Sequence, residues 1–224
     1  MNGLSVPNGQ RWATPDVSHA RAVSGRVAAT RDIPSVATSA VTGAESACVI
    51  VRLPFHMEPP MVLSAAELVT MLENDVRIFL HLAGKVTPEM YDYRPTPGQR
   101  STLELVRYHS MMGPALFEAI VAGAFDEAAW TAAEHAAAAR TFDEAVTAIA
   151  GHAAWYAEAI ERMSAEELRA AVDVFGVASR GMHLVTWVLN GCVAYRMQLF
   201  LYLKSCGRTE LNTMNLWSGT DATA

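Results

Sequence analysis

Residues 94–109 of this chain read Arg-Pro-Thr-Pro-Gly-Gln-Arg-Ser-Thr-Leu-Glu-Leu-Val-Arg-Tyr-His. The two prolines and the glycine exclude a continuous helix over the first half, because proline lacks the backbone N–H that a helix interior needs. Ser101 and Glu104 then form a capping box, which marks the first turn of a helix. The stretch therefore predicts a loop that ends at Arg100 and a helix that begins directly after it.

Similar signals divide the rest of the chain into helices. Further capping boxes begin at Ser64, Thr141 and Ser164, each with a glutamate three residues later. Apolar residues recur at helical spacing after these starts, and glycines stand where two of the helices should stop. The predicted helices cover about 64–83 (stopped by Gly84), 101–120, 126–139, 141–163, a short helix from 164, and 179–205 (stopped by Gly207).

These elements predict an all-α fold. Four of the helices are long and amphipathic, a proline-rich loop follows the first, and we find no alternation typical of strands. Pro114 lies inside the second helix and is predicted to kink it. The pattern indicates a four-helix bundle, and the lack of a 20–50-residue repeat argues against a solenoid.

The first 56 residues differ in composition from the rest. They are rich in Ser, Thr, Ala and Val, contain few acids, and show no sustained helical or strand period. A targeting segment, a disordered tail and a start placed too early, with translation really beginning at Met57 or Met61, are the alternatives. We favour the last two. The domain prediction is an irregular or disordered extension over 1–56, followed by the bundle over 57–224.

Composition also indicates which partners and which compartment to expect. The formal net charge of -6 argues against nucleic acid, because phosphate binding needs clustered Lys and Arg. Three cysteines without regular spacing, Cys48, Cys192 and Cys206, indicate a reducing compartment, so we expect a cytoplasmic protein. Residues 181–203 have the length of a membrane span, but polar and charged side chains interrupt them, which favours a bundle helix over a membrane helix.

No Walker A, GxGxxG, GxSxG, HExxH or EF-hand motif occurs in the sequence. Three longer motifs are present instead. They are Arg94-Pro95-x-Pro97-Gly98-x-x-Ser101-x-x-Glu104-Leu105-x-x-x-His109, Asn190-x-x-x-x-Tyr195-Arg196-x-Gln198-x-x-x-Tyr202-Leu203-x-x-x-Gly207, and Asn212-x-Met214-Asn215-Leu216-Trp217-x-Gly219. With them, residues 64–220 resemble the DinB-like superfamily of four-helix bundles, which includes bacterial damage-inducible proteins and thiol-dependent transferases such as mycothiol-dependent maleylpyruvate isomerases.

The resemblance implies a metal site that has degenerated. In the family, zinc or nickel lies between one His of the second helix and two His of the last helix at i and i+4. Residues four apart share a helix face, so two imidazoles can converge on one ion. Here His109 matches the first ligand, whereas Gly191 and Tyr195 stand at the other two positions. We therefore expect no cofactor, and His109 is the ligand expected if zinc or nickel does bind.

The resemblance also places a ligand cavity, with its catalytic residues left unassigned. The predicted cavity residues are His109, Gly191, Tyr195, Arg196 and Gln198. Glycine is expected to leave room there, Tyr195 to fill space or hydrogen-bond His109, and Arg196 to pair with Glu104 or Asp92, because a buried Arg needs a partner. His81, His152 and His183 are interpreted as separate, locally hydrogen-bonded histidines.

Three functions follow from this site. The leading prediction is a protein without the family metal that binds a small ligand or a partner. The alternatives are a metal- or thiol-dependent transferase that uses His109 with substitute ligands, and a structural homodimer.

Overall fold

The structure is a computed structural model that describes residues 63–221. The predicted extension over 1–56 and the predicted domain start at residue 57 lie outside the described residues. The described part consists mainly of helices. They are α1 (Ala65–Ala83), α2 (Thr102–Ala122), α3 (Glu127–Ala138), α4 (Phe142–Glu161), α5 (Ala165–Arg169) and α6 (Arg180–Ser205).

Four of these helices form the bundle. Helix α1 packs against α4 and α6, α2 packs against the same two helices, and α3 lies on α2. The space between them is filled by large apolar side chains that are almost fully buried, among them Phe79, Leu105, Ile149, Tyr156 and Leu199. The prediction of an all-α four-helix bundle is confirmed.

The helix starts lie where the capping boxes predicted them. The Ser64 backbone N–H donates to the Glu67 carboxylate at 2.8 Å, and the Glu67 N–H donates back to the Ser64 hydroxyl at 3.2 Å. The same reciprocal arrangement begins α2, α4 and α5. Each such cap stabilises a helix by about 1 kcal/mol, which is enough to fix where the helix begins.

A small β-hairpin between α5 and α6 was not predicted. Strand β1 (Ala171–Asp173) pairs antiparallel with β2 (Val177–Ser179), with Val172 opposite Ala178. Gly176 has a φ of 95° in the turn between them. The sequence analysis found no alternation typical of strands and missed this hairpin, for which the available signal is the set of valines on both sides of the glycine.

Helix α6 contains a wider, π-helical segment over Leu184–Leu189, between ordinary α-helical parts. Among residues 63–221, α6 is the one helix that is long and apolar enough to cross a membrane, judged by length and composition alone. In the structure it is a bundle helix that packs against both α1 and α2.

Helix α2 continues through Pro114. Proline has no N–H to offer the carbonyl four residues earlier, which is that of Ser110. That carbonyl accepts instead from His152 Nε2 of α4 at 3.2 Å and from Arg140 Nη1 at 3.1 Å. The carbonyl that Pro114 leaves without its helical donor thus forms hydrogen bonds that join α2 to α4 and to the segment between α3 and α4.

We predict that Gly113→Ala destabilises the protein by about 1–3 kcal/mol, because an added Cβ would overlap the Tyr156 hydroxyl. The matched control is Gly151→Ala, at an exposed α4 position where an added Cβ meets nothing within 4 Å. It should stabilise by about 0.5–1 kcal/mol, since alanine favours helix. Urea unfolding followed by circular dichroism measures both.

Combining Gly113→Ala with Tyr156→Phe should recover most of the loss, because the hydroxyl that overlaps the added methyl is removed. Equal stability of the Gly113→Ala and Gly151→Ala variants would show that α2 and α4 do not approach as closely as described.

Candidate functional site

His109 lies inside the bundle and is 1% exposed. Its ring stacks on Phe79 of α1, with ring centroids 3.9 Å apart and planes inclined by 23°. Its Nδ1 atom has no hydrogen-bond partner. Burial, followed by the nearby His152, lowers the pKa of His109 to about 3, so the imidazole is neutral at physiological pH.

The space beside Gly191 is occupied by a flexible side chain. A Cβ built on Gly191 would stand 3.3 Å from both the sulfur and the terminal methyl carbon of Met112. The expected room at this glycine is therefore filled by the end of a methionine, which has three rotatable bonds and can adopt other positions.

Tyr195 is half-buried and belongs to a cluster of aromatic side chains. Its ring centroid lies 5.1 Å from that of Tyr108 and 6.3 Å from that of His109. It makes no hydrogen bond to His109 Nδ1, so of the two expectations for Tyr195 the hydrogen bond is not met and the space-filling role remains. The Arg100 guanidinium carbon lies 3.7 Å from the Tyr108 ring centroid, and burial raises the pKa of the Tyr108 hydroxyl. The Tyr108 hydroxyl therefore stays protonated, and the ring packs between Tyr195 and the Arg100 guanidinium.

Arg196 has a different partner from the two predicted ones. It forms an ion pair with Asp75 of α1, and both side chains are buried, at 6% and 3% exposure. Glu104 pairs instead with Arg94 at 3.2 Å. Burial raises the pKa of Asp75 to about 6, against the Arg196 charge, which lowers it. The second Asp75 oxygen and Arg196 Nε are buried without hydrogen-bond partners.

Gln198 points to yet another part of the bundle. Its amide donates to the Tyr202 hydroxyl at 2.6 Å, and that hydroxyl donates to the Arg100 carbonyl at 3.0 Å. Gln198 thus helps to hold the end of the proline-rich loop against α6. Of the five predicted cavity residues, His109 and Tyr195 have ring centroids 6.3 Å apart and Gly191 faces Met112, whereas Arg196 and Gln198 bond to Asp75 and Tyr202.

Several buried polar residues of this core were not predicted. Asp75 is the most informative, because it lies within the apolar helical period of α1, between Leu72 and Phe79. A carboxylate on the buried face of a helix needs a cationic partner, and that pattern could have identified Asp75.

Cys192 lies beside Tyr156, and burial raises the pKa of its thiol to about 12. Cys192 is therefore protonated and is a poor nucleophile.

The residues at the family's ligand positions do not fit a three-histidine metal site. Gly191 offers no donor, and the Tyr195 ring faces Tyr108. Within residues 63–221, no group of three or more His, Cys, Asp or Glu side chains lies close enough to hold a metal ion. We therefore assign no chemistry that passes through a metal.

We predict that Asp75→Ala and Arg196→Ala each destabilise the protein by about 3–5 kcal/mol, because each leaves a buried charge without its partner. The double variant Asp75→Leu/Arg196→Met should cost far less, since it removes both charges. The control is Arg162→Ala, which breaks an exposed pair with Glu158 and should cost less than about 1 kcal/mol. Urea unfolding gives all four values, and single-variant losses below that control would contradict the burial of the pair.

We also predict that His109→Phe reduces the loss of stability on acidification. The unfolded chain protonates this histidine near pH 6.5 and the folded chain only near 3, so falling pH favours unfolding. From the difference in pKa, His109 lowers the free energy of unfolding by about 2 kcal/mol at pH 5. Asp75 acts in the opposite direction, because its raised pKa makes the folded state bind a proton first.

For each variant, the free energy of unfolding is measured at pH 7 and at pH 5, and the loss between the two is compared. His109→Phe should lose about 2 kcal/mol less than the wild type, whereas His135→Ala, at an exposed position of α3, should lose as much as the wild type. An unchanged difference in His109→Phe would show that this ring is accessible to protons in the folded state.

Comparison with known proteins supports the fold. No protein-family model matches the chain, and no curated protein matches its sequence. Among solved structures, the crystal structure of the DinB-like protein YjoA from Bacillus subtilis has a TM-score of 0.51 and 18% sequence identity. The match covers 65% of this chain and 96% of YjoA. The chain therefore has the DinB-like fold.

Proposed function

We propose that this protein is a metal-free binding protein that takes a small, largely apolar ligand at the contact between α2 and α6. One observation carries the proposal. Within residues 63–221, the atoms of other helices that a Cβ on Gly191 would meet within 4 Å are the sulfur and the terminal methyl carbon of Met112. A glycine faced by the movable end of a methionine is a place that a ligand can occupy when that side chain rotates away.

In this proposal His109 supplies the polar contact, because its ring centroid lies 6.3 Å from that of Tyr195 at the border of the site. Its Nδ1 is buried and has no partner, and its lowered pKa keeps the ring neutral. A buried polar atom without a hydrogen bond costs about 1–3 kcal/mol, which a ligand with one polar group would recover. The site therefore favours an aromatic molecule with a single N–H or O–H.

Tyr108 and Tyr195 form the border of the proposed site. Both are half-buried, and their rings lie 5.1 Å apart on the side of α2 that faces α6. Aromatic side chains contribute large apolar contact area at low conformational cost. The nearby Arg100 is already engaged by Glu134 at 3.4 Å, so no free charge is offered to an ionic ligand.

The competing function is a metal- or thiol-dependent transferase in which His109 acts with substitute ligands. The protonated Cys192 and the missing second and third donors argue against it. We also propose that the protein works in the cytoplasm, which is supported by the free thiols of Cys192 and Cys206.

We predict that indole, an apolar ring with one N–H, binds the wild-type protein and raises its melting temperature. Gly191→Leu should weaken binding at least tenfold, because the leucine occupies the ligand's space. Gly151→Leu, at an exposed position of α4, is the matched control and should bind like the wild type. Isothermal titration calorimetry measures the affinities. Equal binding by Gly191→Leu would place the site elsewhere and refute the proposal.

Elemental analysis of the purified protein separates the two functions. The proposal expects less than one zinc or nickel per ten chains. A full equivalent of either metal, lost in His109→Ala, would favour the transferase.

A further inference from the structure

Helix α3 is held to the bundle by few side chains. Of its twelve residues, Ala137 is the one that is buried. Trp130, Ala133 and Glu134 are half-buried, and the other positions of the helix are exposed. The four inner positions are spaced as one narrow stripe of a helix, and α3 packs with them on α2. Two of the four are alanines, so α3 buries little apolar surface where it contacts the bundle.

The helical structure of α3 depends on local interactions instead. The Asp126 carboxylate caps its first turn and accepts from the backbone N–H groups of Ala128 at 2.9 Å and Ala129 at 3.0 Å. Most other positions of α3 are alanine, the residue with the highest helix propensity. Helix α3 can therefore leave α2 as one body and remain a helix.

The two ends of α3 differ in how they are fixed. After the helix, Arg140 Nη1 donates to the Ser110 carbonyl at 3.1 Å, and Arg107 Nε donates to the Arg140 carbonyl at 2.5 Å. Before the helix, Gly123 ends α2 with a φ of 72°. Glycine adopts positive and negative φ with similar ease, so this link can change direction. The arrangement is that of a helix that pivots at Arg140.

Beneath α3 lies a small apolar cluster that is separate from the main core. Its buried members are Met111, Met112, Ala137 and Cys192. Met112 is also the residue whose end stands beside Gly191. A ligand beside Gly191 requires Met112 to rotate, and the densely packed main core offers no room for that rotation. A shift of α3 provides the room on the other side.

We propose that α3 is a lid that pivots away from α2, uncovers this small cluster and lets Met112 leave the space beside Gly191. The inference rests on the proposed function for what the lid admits, whereas the motion itself follows from the contacts of α3. The ligand then enters from the side of α3, between α2 and α6.

Two contacts hold the lid closed. The Trp130 ring meets the Tyr108 ring edge-on, with centroids 6.1 Å apart and planes inclined by 68°. The Glu134 carboxylate pairs with Arg100 at 3.4 Å, and both of these side chains are about two-fifths exposed. An exposed ion pair contributes little, whereas an aromatic pair adds apolar area and a favourable ring geometry. Trp130 is thus the main contact that closes the lid, and it closes beside Tyr108 at the border of the ligand site.

The thiol of Cys192 is a native probe of this motion, because it lies in the covered cluster and is 3% exposed. The full chain with Cys48→Ser and Cys206→Ser is labelled with N-ethylmaleimide at increasing urea, without any ligand. Cys192 should be labelled through a local opening whose urea dependence is less than about a third of that of global unfolding, since the dependence scales with the surface exposed. Urea unfolding followed by circular dichroism supplies the global value.

Substitutions on α3 identify the lid. In the same background, Trp130→Ala should label about tenfold faster than the parent, because the ring contact that closes the lid is lost. Glu134→Gln should label only about twofold faster. Thr131→Ala, at an exposed position of the same helix, is the matched control and should label like the parent. Melting followed by circular dichroism confirms that the variants are folded.

Binding kinetics connect the lid to the ligand site. Fluorine NMR of a fluorinated indole gives its association and dissociation rates. Trp130→Ala should raise the association rate constant by about the factor by which it speeds the labelling of Cys192, and Thr131→Ala should leave it unchanged.

The outcomes separate the lid from the ligand. Labelling of Cys192 only through global unfolding, or equal labelling of Trp130→Ala and Thr131→Ala, would overturn the lid even if indole binds. Local labelling of Cys192 that Trp130→Ala accelerates supports the lid, and a failure of indole to bind the same protein would then refute only the proposed ligand.

Discussion

The ion pair between Asp75 and Arg196 is the constraint on which the rest of the core depends. Removing these two charges from water costs several kcal/mol each, and only their mutual contact offsets that cost. Helices α1 and α6 must therefore keep one register, and the surrounding Tyr156 and Cys192 must exclude water. Trp217 lies over the same guanidinium, with 5.9 Å between the Arg196 guanidinium carbon and the ring centroid. The segment after α6 thus belongs to the same core as the helices.

The helix limits could be predicted from the sequence because their causes are local. A capping box joins residues three apart, so Ser64 with Glu67 and Ser101 with Glu104 identify helix starts without knowledge of the fold. The hairpin after α5 was missed because three-residue strands are too short to show alternation. The partner of Arg196 was missed for a different reason. Asp75 lies 121 residues away, and only the packing of α1 on α6 decides that they meet.

In the candidate site, too, some features follow from local spacing and others depend on the packing of distant helices. Positions 191 and 195 are four residues apart and face α2 together, as the helical repeat requires. Position 196 is rotated by about 100° from 195 and so faces α1. The segment that was predicted to line one cavity therefore contacts two different helices, α2 and α1. What no spacing could indicate is that Met112, from another helix, occupies the place beside Gly191.

Proline at position 114 also bears on how this sequence can evolve. The Ser110 carbonyl depends on donors from His152 and Arg140 only because the proline withholds the usual one. A lineage that first replaces Pro114 regains the helical bond and is then free to vary His152. A lineage that first loses His152 leaves the carbonyl to Arg140 alone and gives up one hydrogen bond, a loss of about 0.5–1.5 kcal/mol. The two substitutions are thus expected to accumulate in a preferred historical order, with residue 114 changing before residue 152.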